Sequence, residues 1–448
     1  MRKIFQYILM AVALVATASC SNEFDETLQP AGNGNLQFVV SDFPTFGEDA
    51  QTRVIGTQDE GKTAWADGDK ILVHLYSQKY GDQAVTLTFD AENNTWESDG
   101  GTLSYLENET PTITAVYAPD CEIKSDKTIG LLDDKQYGEA EYIPAKTTIS
   151  GNTLDIRFES GRTYSRLRIA GLANQTLTVT TTDFTPAGAT EVATAAYTLT
   201  TDNNGNAFLY GVFAEDATVS VKQGDITLKD YTFTAEKNPN GTAHNKSYAL
   251  DATPVMDGTL GGKTEATAAE VETLVQQLKD YVDNGITTII VPGSKSAIIE
   301  VDGIVLPAVS EAIYRLSKDE SYNGKIDLIL PDVTEIFDQE FHSARALNSI
   351  TLPKVTNLAD QAFYGTLYLR TITFGSVITE VNELGAIFNQ VGYNVGGCDL
   401  ILNCGQMNES NVPAPDLTNN IWKFKFENEF KSITLTHTGE CDECKANQ

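Results

Sequence analysis

The sequence of 448 residues has few cysteines, few histidines and few basic residues. Six cysteines are too sparse for a scaffold held by disulfides, and a chain of this length can build its cores without them. Four scattered histidines form no His-Glu-x-x-His pattern, and no Gly-x-Ser-x-Gly occurs. Lysine and arginine total 31 against 62 acidic residues, and this excess repels nucleic acid and anionic lipid. The sequence therefore predicts no enzyme, no cofactor and no nucleic-acid partner.

Five cysteines follow residue 20, and their spacing leaves several roles open. Cys441-Asp-Glu-Cys444 has the spacing of a zinc or redox pair, close to the end of the chain. Cys398 and Cys404 would lie about 20 Å apart if one strand held both, too far for a disulfide between them. A zinc site from these four thiols with His437, a redox dithiol, disulfides and unpaired packing thiols are the alternatives. We favour the last two.

Two short segments imitate binding loops. Gly258 to Thr264 looks like a phosphate loop, but three residues separate Gly258 from Gly262 where that loop has four, and no strand precedes it. We interpret it as a flexible linker. Asp202-Asn-Asn-Gly205 is part of a calcium-loop pattern that lacks the later glutamate, so it predicts a hairpin turn. No metal site is expected from either segment.

The N-terminus has the pattern of an export signal. Arg2 and Lys3 precede an apolar run, Tyr7 to Ala16, which is too short for a permanent membrane span. Small residues then lead into Cys20, and acidic residues follow. This order resembles the lipobox of bacterial lipoproteins and the surface-export signal of lipoproteins from gram-negative anaerobes. The resemblance implies a signal peptide over 1–19, lipidation of Cys20, a tether over 20–35 and anchoring in the outer membrane. A secretory signal with a chance cysteine is the alternative.

Residues 36–252 have the pattern of strands almost throughout. Short β-branched runs such as Ile71–Tyr76 are separated by turn pairs such as Asn204-Gly205, and no helical stripe is sustained. We expect antiparallel β-sandwiches, with Trp65 in a core and Asp69 in a turn. The run Trp65-Ala-Asp-Gly-Asp69 and the closing Asn245–Leu250 resemble the fimbrillin-like family of FimA- and Mfa-type lipoproteins. That resemblance implies tandem transthyretin-like sandwiches, divided here near residue 150.

The pattern changes after residue 252. Residues 253–266 are rich in glycine and lack apolar periodicity, which predicts a linker. Thr267 and Glu270 form a capping box that begins a helix, and Gly285 is placed to end it. The apolar residues at helical spacing are Val271, Leu274, Val275, Leu278 and Val282. A strand over 287–291 and a second helix beginning at Pro307, with Val309, Ile313 and Leu316 buried, complete a helical cap. We expect 36–252 and 264–448 to fold separately.

From residue 326 the sequence repeats itself every 22 residues, as Pro331 and Pro353 show. A fixed period of this size predicts stacked units, each with a strand and a short helical turn, as in a leucine-rich-repeat α/β solenoid. The segments Val355–Gly365 and Leu369–Phe374 resemble the BspA-like repeat, which often has a cysteine where Ala344 and Thr366 stand here. The predicted repeat core is Leu330, Phe341, Leu347, Leu352, Phe363, Leu369 and Phe374. The resemblance covers about residues 286–436 of a domain placed at 267–448.

These patterns predict a multidomain, mainly β protein on a bacterial surface. The resemblance to BspA-like proteins implies an adhesin whose repeat domain binds a host matrix protein, a glycan or a bacterial surface protein. The fimbrillin-like resemblance implies the alternative, a fimbrial tip or anchor subunit that assembles by donor-strand exchange with other subunits. In that case cleavage would follow Arg53, although an ordinary arginine at a strand edge also explains this residue.

Overall fold

A computed structural model provides the structure of the chain. It describes residues 36–46, 62–106, 109–159, 163–189, 193–234, 245–293, 297–381, 386–403 and 430–436. In those ranges no helix has the length and apolar character needed to cross a membrane. The chain divides into two compact units, which are Met1–Phe43 with Ala64–Asp133 and Tyr142–Glu159, and Pro44–Thr63 with Asp134–Glu141 and Ser160–Gln448.

The first unit consists of short strands. They are β1 (Gln37–Val40), β2 (Lys70–Ser77), β3 (Gly81–Asp90), β4 (Thr95–Ser98), β5 (Thr112–Tyr117), β6 (Cys121–Ile123), β7 (Ile129–Leu131), β8 (Ile143–Pro144), β9 (Lys146–Ser150) and β10 (Thr153–Arg157). An antiparallel sheet has the order β4-β3-β2-β5-β8, and a second has the order β1-β10-β9. Alternate residues of β3, among them Val85 and Leu87, are buried, as expected for a sheet with one face in a core.

The first unit extends to Glu159, past residue 150, near which we expected the two sandwiches to divide. Strand β10 follows that point and pairs with both β1 and β9, so it belongs to the first unit, which ends at Glu159. The pairing of β1 with β10 is parallel. The expectation of wholly antiparallel sheets is therefore wrong here, because β1 joins the sheet from a distant part of the chain rather than through a hairpin.

The second unit begins with a seven-stranded sheet. Its strands are β11 (Ser165–Ala170), β12 (Thr176–Pro186), β13 (Ala193–Thr200), β14 (Asn206–Phe213), β15 (Thr218–Gln223), β16 (Ile226–Thr232) and β17 (Ser247–Asp251). The order is β16-β15-β12-β14-β11-β17, with β13 also paired to β12. β17 runs parallel to β11, a second exception to the antiparallel expectation. The core beneath contains stacked rings, with Phe213 and Phe233 centred 4.6 Å apart.

The turn between β13 and β14 requires its glycine. Gly205 has a φ of +77°, and a Cβ there would lie 2.3 Å from the carbonyl oxygen of Gly171. The Asp202 carboxylate accepts hydrogen bonds from the backbone of Asn204 at 2.8 Å and of Asn206 at 2.9 Å. The structure therefore agrees with the hairpin turn expected here, because these bonds close the chain between β13 and β14.

The segment 253–266 is more ordered than the linker we expected. Met256 is fully buried, and its N–H donates to the Ile290 carbonyl at 2.9 Å. The Ala266 N–H donates to the Ile298 carbonyl at 2.8 Å. Before this segment, the Gln223 side chain donates to the Gly285 carbonyl at 3.0 Å. The seven-stranded sheet and the following helices thus share one unit. Separate folding of 36–252 and 264–448 stays a prediction.

Two helices follow, and both begin where the capping signals indicated. Helix α1 (Ala268–Asp283) has the capping box, in which Thr267 accepts from the Glu270 N–H and the Glu270 carboxylate accepts from Thr267. Val282 is only half-buried, and Tyr281 is buried in its place. Helix α2 (Ala308–Lys318) begins directly after Pro307 and buries the three apolar residues expected of it.

The remaining strands form two parallel ladders and one antiparallel hairpin. They are β18 (Thr288–Ile290), β19 (Ile298–Val301), β20 (Ile304–Pro307), β21 (Ile326–Ile329), β22 (Glu335–Ile336), β23 (Leu347–Leu352), β24 (Asn357–Leu358), β25 (Thr371–Phe374), β26 (Glu380–Val381), β27 (Cys398–Asn403) and β28 (Phe430–Thr436). One sheet has the order β18-β21-β23-β25-β27-β28, a second the order β22-β24-β26, and β19 pairs with β20 as a hairpin. Each regular repeat therefore contributes two strands, where we expected a single one.

Candidate functional site

The two N-terminal residues that the sequence singled out, Cys20 and Arg53, lie outside the described residues. Lipidation and proteolytic processing therefore stay predictions. The same holds for most of the cysteine cluster, namely Cys404, Cys441, Cys444 and His437.

The cysteine of this cluster that is described, Cys398, is a packing thiol. It is fully buried, and burial first, then the nearby Asp399 charge, raises the pKa of its thiol to about 12. A thiol held in the protonated form is a poor nucleophile. Within the described ranges, no three His, Cys, Asp or Glu residues are grouped as a metal would need.

The seven residues of the expected repeat core all point inward. Phe341 and Phe363 are fully buried, and their rings stack with centroids 5.6 Å apart. Phe388 continues the stack at another 5.6 Å, although the spacing to it is 25 residues instead of 22. Leu330 is 5% exposed and the other four are fully buried. His342, the residue after Phe341, is half-buried and stacks on Tyr364.

The opposite face of the six-stranded parallel sheet carries two rows of side chains, which we call the outer rows. The first row consists of hydroxyls and carboxylates, and the second of isoleucines and threonines. The strand register aligns Thr288, Asp327, Ser349, Thr371, Asp399 and Ser432 in the first row, and Ile290, Ile329, Thr351, Thr373, Ile401 and Thr434 in the second. All are at least partly exposed. At about 4.8 Å per strand, each row spans about 24 Å.

Hydrogen bonds between neighbouring strands hold the acids of the first row. Asp327 accepts from the Asn348 amide at 2.7 Å and from the Ser349 hydroxyl at 2.5 Å. Asp399 accepts from the Ser432 hydroxyl at 2.6 Å, and this bond lowers the pKa of the Asp399 carboxyl. These side chains are thus fixed in place and present an ordered polar surface.

A cavity of about 760 Å³ lies beside the first repeat. Its walls combine apolar side chains such as Val309 and Leu330 with polar groups from Lys263, Ser310 and Glu340. A concave, largely apolar space with a few polar groups is the usual form of a small-molecule site.

Glu340 is the most unusual side chain of this cavity. Its carboxylate accepts from the Ser310 hydroxyl and from the Phe337 N–H, both at 2.8 Å. Burial raises the pKa of the Glu340 carboxyl to about 7 despite these bonds. Sequence reasoning missed this residue. The repeat pattern contained a signal for it, because Glu340 lies one period before the buried Ala362. A glutamate at a repeat position that points inward is unusual.

The segment that imitates a phosphate loop forms part of the cavity wall and is an ordered turn. The Asp257 carboxylate accepts from the Thr259 N–H at 2.8 Å and from the Gly261 N–H at 2.7 Å. The Thr259 hydroxyl also donates to this carboxylate and is the main cause that lowers the pKa of Asp257. The prediction of a flexible linker is therefore wrong, because the segment forms an ordered turn. A phosphate would need these backbone amides, and an aspartate already occupies them.

No family model matches this chain, and no curated protein matches it. Solved structures that it resembles include Bacteroides fimbrial and adhesion proteins. A Bacteroides ovatus fimbrial protein is 10% identical with a TM-score of 0.25, over 50% of this chain and 49% of its own. A Bacteroides fragilis protein proposed to act in cell adhesion is 12% identical with a TM-score of 0.23, over 49% of this chain and 93% of its own. The Streptococcus agalactiae minor pilin GBS52 is 10% identical with a TM-score of 0.17, over 48% of this chain and 93% of its own. Likenesses this low carry no argument about function.

Proposed function

We propose that this protein is a bacterial surface adhesin, anchored in the outer membrane by acyl chains on Cys20, whose repeat region binds a macromolecule. The observation that carries the proposal is the pair of outer rows, which sets ordered, partly exposed side chains at regular intervals across six strands. A face about 24 Å long suits an extended ligand better than a small molecule. The export signal and the lipobox-like Cys20 support a position of this face outside the cell.

The finer architecture belongs to the same proposal. The parallel ladders are the BspA-like leucine-rich repeats of the sequence, capped by α1 and α2 at the N-terminal end. The sheets of residues 36–252 are tandem transthyretin-like sandwiches that carry the repeats away from the membrane. The stacked rings at Phe341 and Phe363, one period apart, support the repeat assignment.

Adhesion tests this proposal directly. Bacteria that display the parent protein should attach to a panel of matrix proteins, host cells and bacterial cells more strongly than bacteria that lack it. A Thr373→Glu variant puts a bulky negative charge into the second outer row and should abolish the attachment. Thr379→Glu is the matched control, because Thr379 is exposed and directly precedes β26, the last strand of the other ladder. Equal attachment by both variants would contradict the assignment of the outer rows.

One observation favours the alternative, a fimbrial tip or anchor subunit. Strand β1 lies before Arg53 in the chain and pairs with β10. Cleavage after Arg53 would therefore remove β1 and leave one edge of β10 without its partner, beside the buried Leu154 and Ile156. A strand from another subunit could then fill the vacated position. Protein from the cell surface that begins at Val54 would support this alternative, and protein with acylated Cys20 at its N-terminus would support the anchored adhesin.

A further inference from the structure

Three basic side chains meet where the parallel strands of the repeat region begin. Lys325 directly precedes β21, Arg345 lies two residues before β23, and Arg370 directly precedes β25. The Lys325 ammonium donates to the Arg345 carbonyl at 2.9 Å and lies 4.2 Å from the centre of the Tyr368 ring. We call Lys325, Arg345, Tyr368 and Arg370 the basic edge.

The basic edge is unusual because its cations have no acidic partners among the described residues. The other described cations of the repeat region and its helical cap pair with carboxylates, except Lys318, which lies 4.7 Å from the Tyr314 ring centre. The paired ones are Lys263, Lys279, Arg315, Lys354 and Lys431. Arg345 donates to the Asp319 carbonyl, at 3.5 Å, while the Asp319 carboxylate pairs with Lys279. The chain has twice as many acidic as basic residues, so most cations are expected to find an acidic partner. A group of cations that have none is therefore unusual.

The charges of Arg345 and Arg370 both repel the Lys325 ammonium. Burial is the main cause that lowers the pKa of Lys325, and the charges of Arg345 and Arg370 lower it further. An anion bound between them would relieve this repulsion. A guanidinium presents five N–H donors in a planar fork that matches carboxylate and sulfate oxygens, and Arg370 is exposed enough to use them.

We infer that the basic edge binds an acidic polysaccharide, with sulfate or carboxylate groups on Arg345 and Arg370 and sugar hydroxyls on the neighbouring outer rows. This inference rests on the proposed adhesin function and names its ligand class. The first outer row begins immediately beside the basic edge, since Thr371 follows Arg370 and Asp327 lies two residues after Lys325. Its hydroxyls and carboxylates are suited to hydrogen bonding with sugar hydroxyls, and the Tyr368 ring adds an apolar surface.

An acidic peptide fits this place less well. Strands β21, β23 and β25 are paired on both sides, so their backbone groups are already used within the sheet. An extended peptide therefore has no free strand edge to join here, and its main-chain hydrogen bonds would go unmade. A polysaccharide needs no strand edge because side chains alone can bind it.

The overall negative charge of the protein does not prevent this binding at physiological salt. The Debye length there is about 8 Å, so distant acids are largely screened while the basic edge acts at contact distance. The nearer acids of the first outer row, Asp327 and Asp399, already accept hydrogen bonds from side chains of the neighbouring strands. Binding should weaken as salt rises further, because the attraction itself is then screened.

The test uses the full mature chain with Cys20→Ser, which carries no acyl chains, and four probes. Heparin carries sulfates, polygalacturonate carries carboxylates, dextran is neutral, and polyglutamate is an acidic peptide. We expect heparin or polygalacturonate to bind and dextran not to bind. In the double variant Arg345→Gln with Arg370→Asn, we expect each missing guanidinium to raise the dissociation constant about tenfold. The loss of one hydrogen bond to a charged group reduces affinity by about this factor. Arg370 is replaced by asparagine because the preceding repeat has an asparagine, Asn348, at the equivalent position.

Lys354→Gln is the matched control. It also removes one positive charge from a repeat surface, but Lys354 pairs with Asp332 away from the basic edge. Its affinity should equal that of the parent, and unchanged thermal unfolding of all variants should show intact folding. An equal reduction of affinity in this control, equal binding of dextran, or binding of polyglutamate alone would overturn the inference. Cell attachment that survives the double variant would overturn it too while leaving the adhesin proposal intact.

Discussion

In the first unit, Trp65 is surrounded by rings from scattered positions of the chain, whereas the repeat region supplies its rings from equivalent positions of successive repeats. Phe43 and Trp96 each lie 4.8 Å from Trp65, edge to face, and Tyr117 and Phe158 lie within 5.5 Å. In the repeat region the phenylalanines stack nearly parallel along a single line. The first core depends on contacts between distant residues, and the second on a period that is visible in the sequence.

The largest expected effect comes from Phe363→Ala, which should destabilise the second unit by about 3–5 kcal/mol. Phe363 is fully buried between Phe341 and Phe388, so its removal leaves a cavity in the middle of the stack. Urea unfolding in a Trp422→Phe background separates the units. Tryptophan fluorescence then reports only Trp65 and Trp96 of the first unit, and circular dichroism reports both units.

The fluorescence midpoint should stay where it is in the parent, and the circular dichroism transition should move to lower urea. Tyr364→Ala is the control, since this half-buried neighbour should cost less when it is truncated. A common shift of both signals would mean that the two cores unfold together, and the comparison between them would fail.

The next effect concerns pH and Glu340. Burial raises the pKa of this carboxyl to about 7 in the folded protein, against about 4.5 when it is unfolded. Between these values the folded state keeps a proton that the unfolded state has lost. The contribution of this group to the free energy of unfolding is therefore largest below pH 4.5. It declines as the pH rises to 7, by an amount on the order of 3 kcal/mol.

Glu340→Gln should remove this decline, since an amide carries no charge that burial would penalise. Its oxygen can accept from the Phe337 N–H, and its NH2 group can donate to the Ser310 hydroxyl. The slope of the unfolding free energy of the second unit would be measured by urea titration from pH 4.5 to 8. Glu335→Gln is the control and should keep most of the slope, because the Glu335 charge is a smaller cause than burial. A variant with the parent slope would show that Glu340 titrates normally.

The smallest effect is expected at the helix cap. Thr267→Ala should cost about 1 kcal/mol, because its hydroxyl accepts the Glu270 N–H at the start of α1. The described residues of the first unit form no helix. The substitution should therefore lower the free energy of unfolding of the second unit and leave that of the first unit unchanged. Thr273→Ala, which changes an exposed threonine within α1, should change stability by less than half as much. Equal destabilisation by the two variants would mean that the capping box contributes nothing beyond helix propensity.

Much of the repeat region was predictable from local spacing. The capping box, the start of α2 after Pro307 and the inward side of the repeat phenylalanines each depend on residues within a turn or two, or within a single period. The first unit was less predictable. The parallel partner of β1 lies more than a hundred residues away, and alternation of apolar residues says which face is buried but not which strand lies beside it.

The order of the segment 253–266 could not be predicted for a related reason. Its glycines and its lack of periodicity are those of a linker, but hydrogen bonds to Asp257 and a strand-like contact with Ile290 fix its path. Such bonds join residues whose types carry no periodic signal, so only the folded chain reveals them.

By itself, the sequence determined the mainly β character of the chain, the two helices and the residues of the repeat core. These features follow from the alternation of side chains along a strand, from helix capping and from a period of 22 residues, all of which act over short distances. The tertiary structure alone decided that Glu340 faces Ser310 in a cavity and that Lys325, Arg345 and Arg370 meet at the same edge. Charges separated along the chain become neighbours only when parallel strands align, because the pairing register sets which side chains meet.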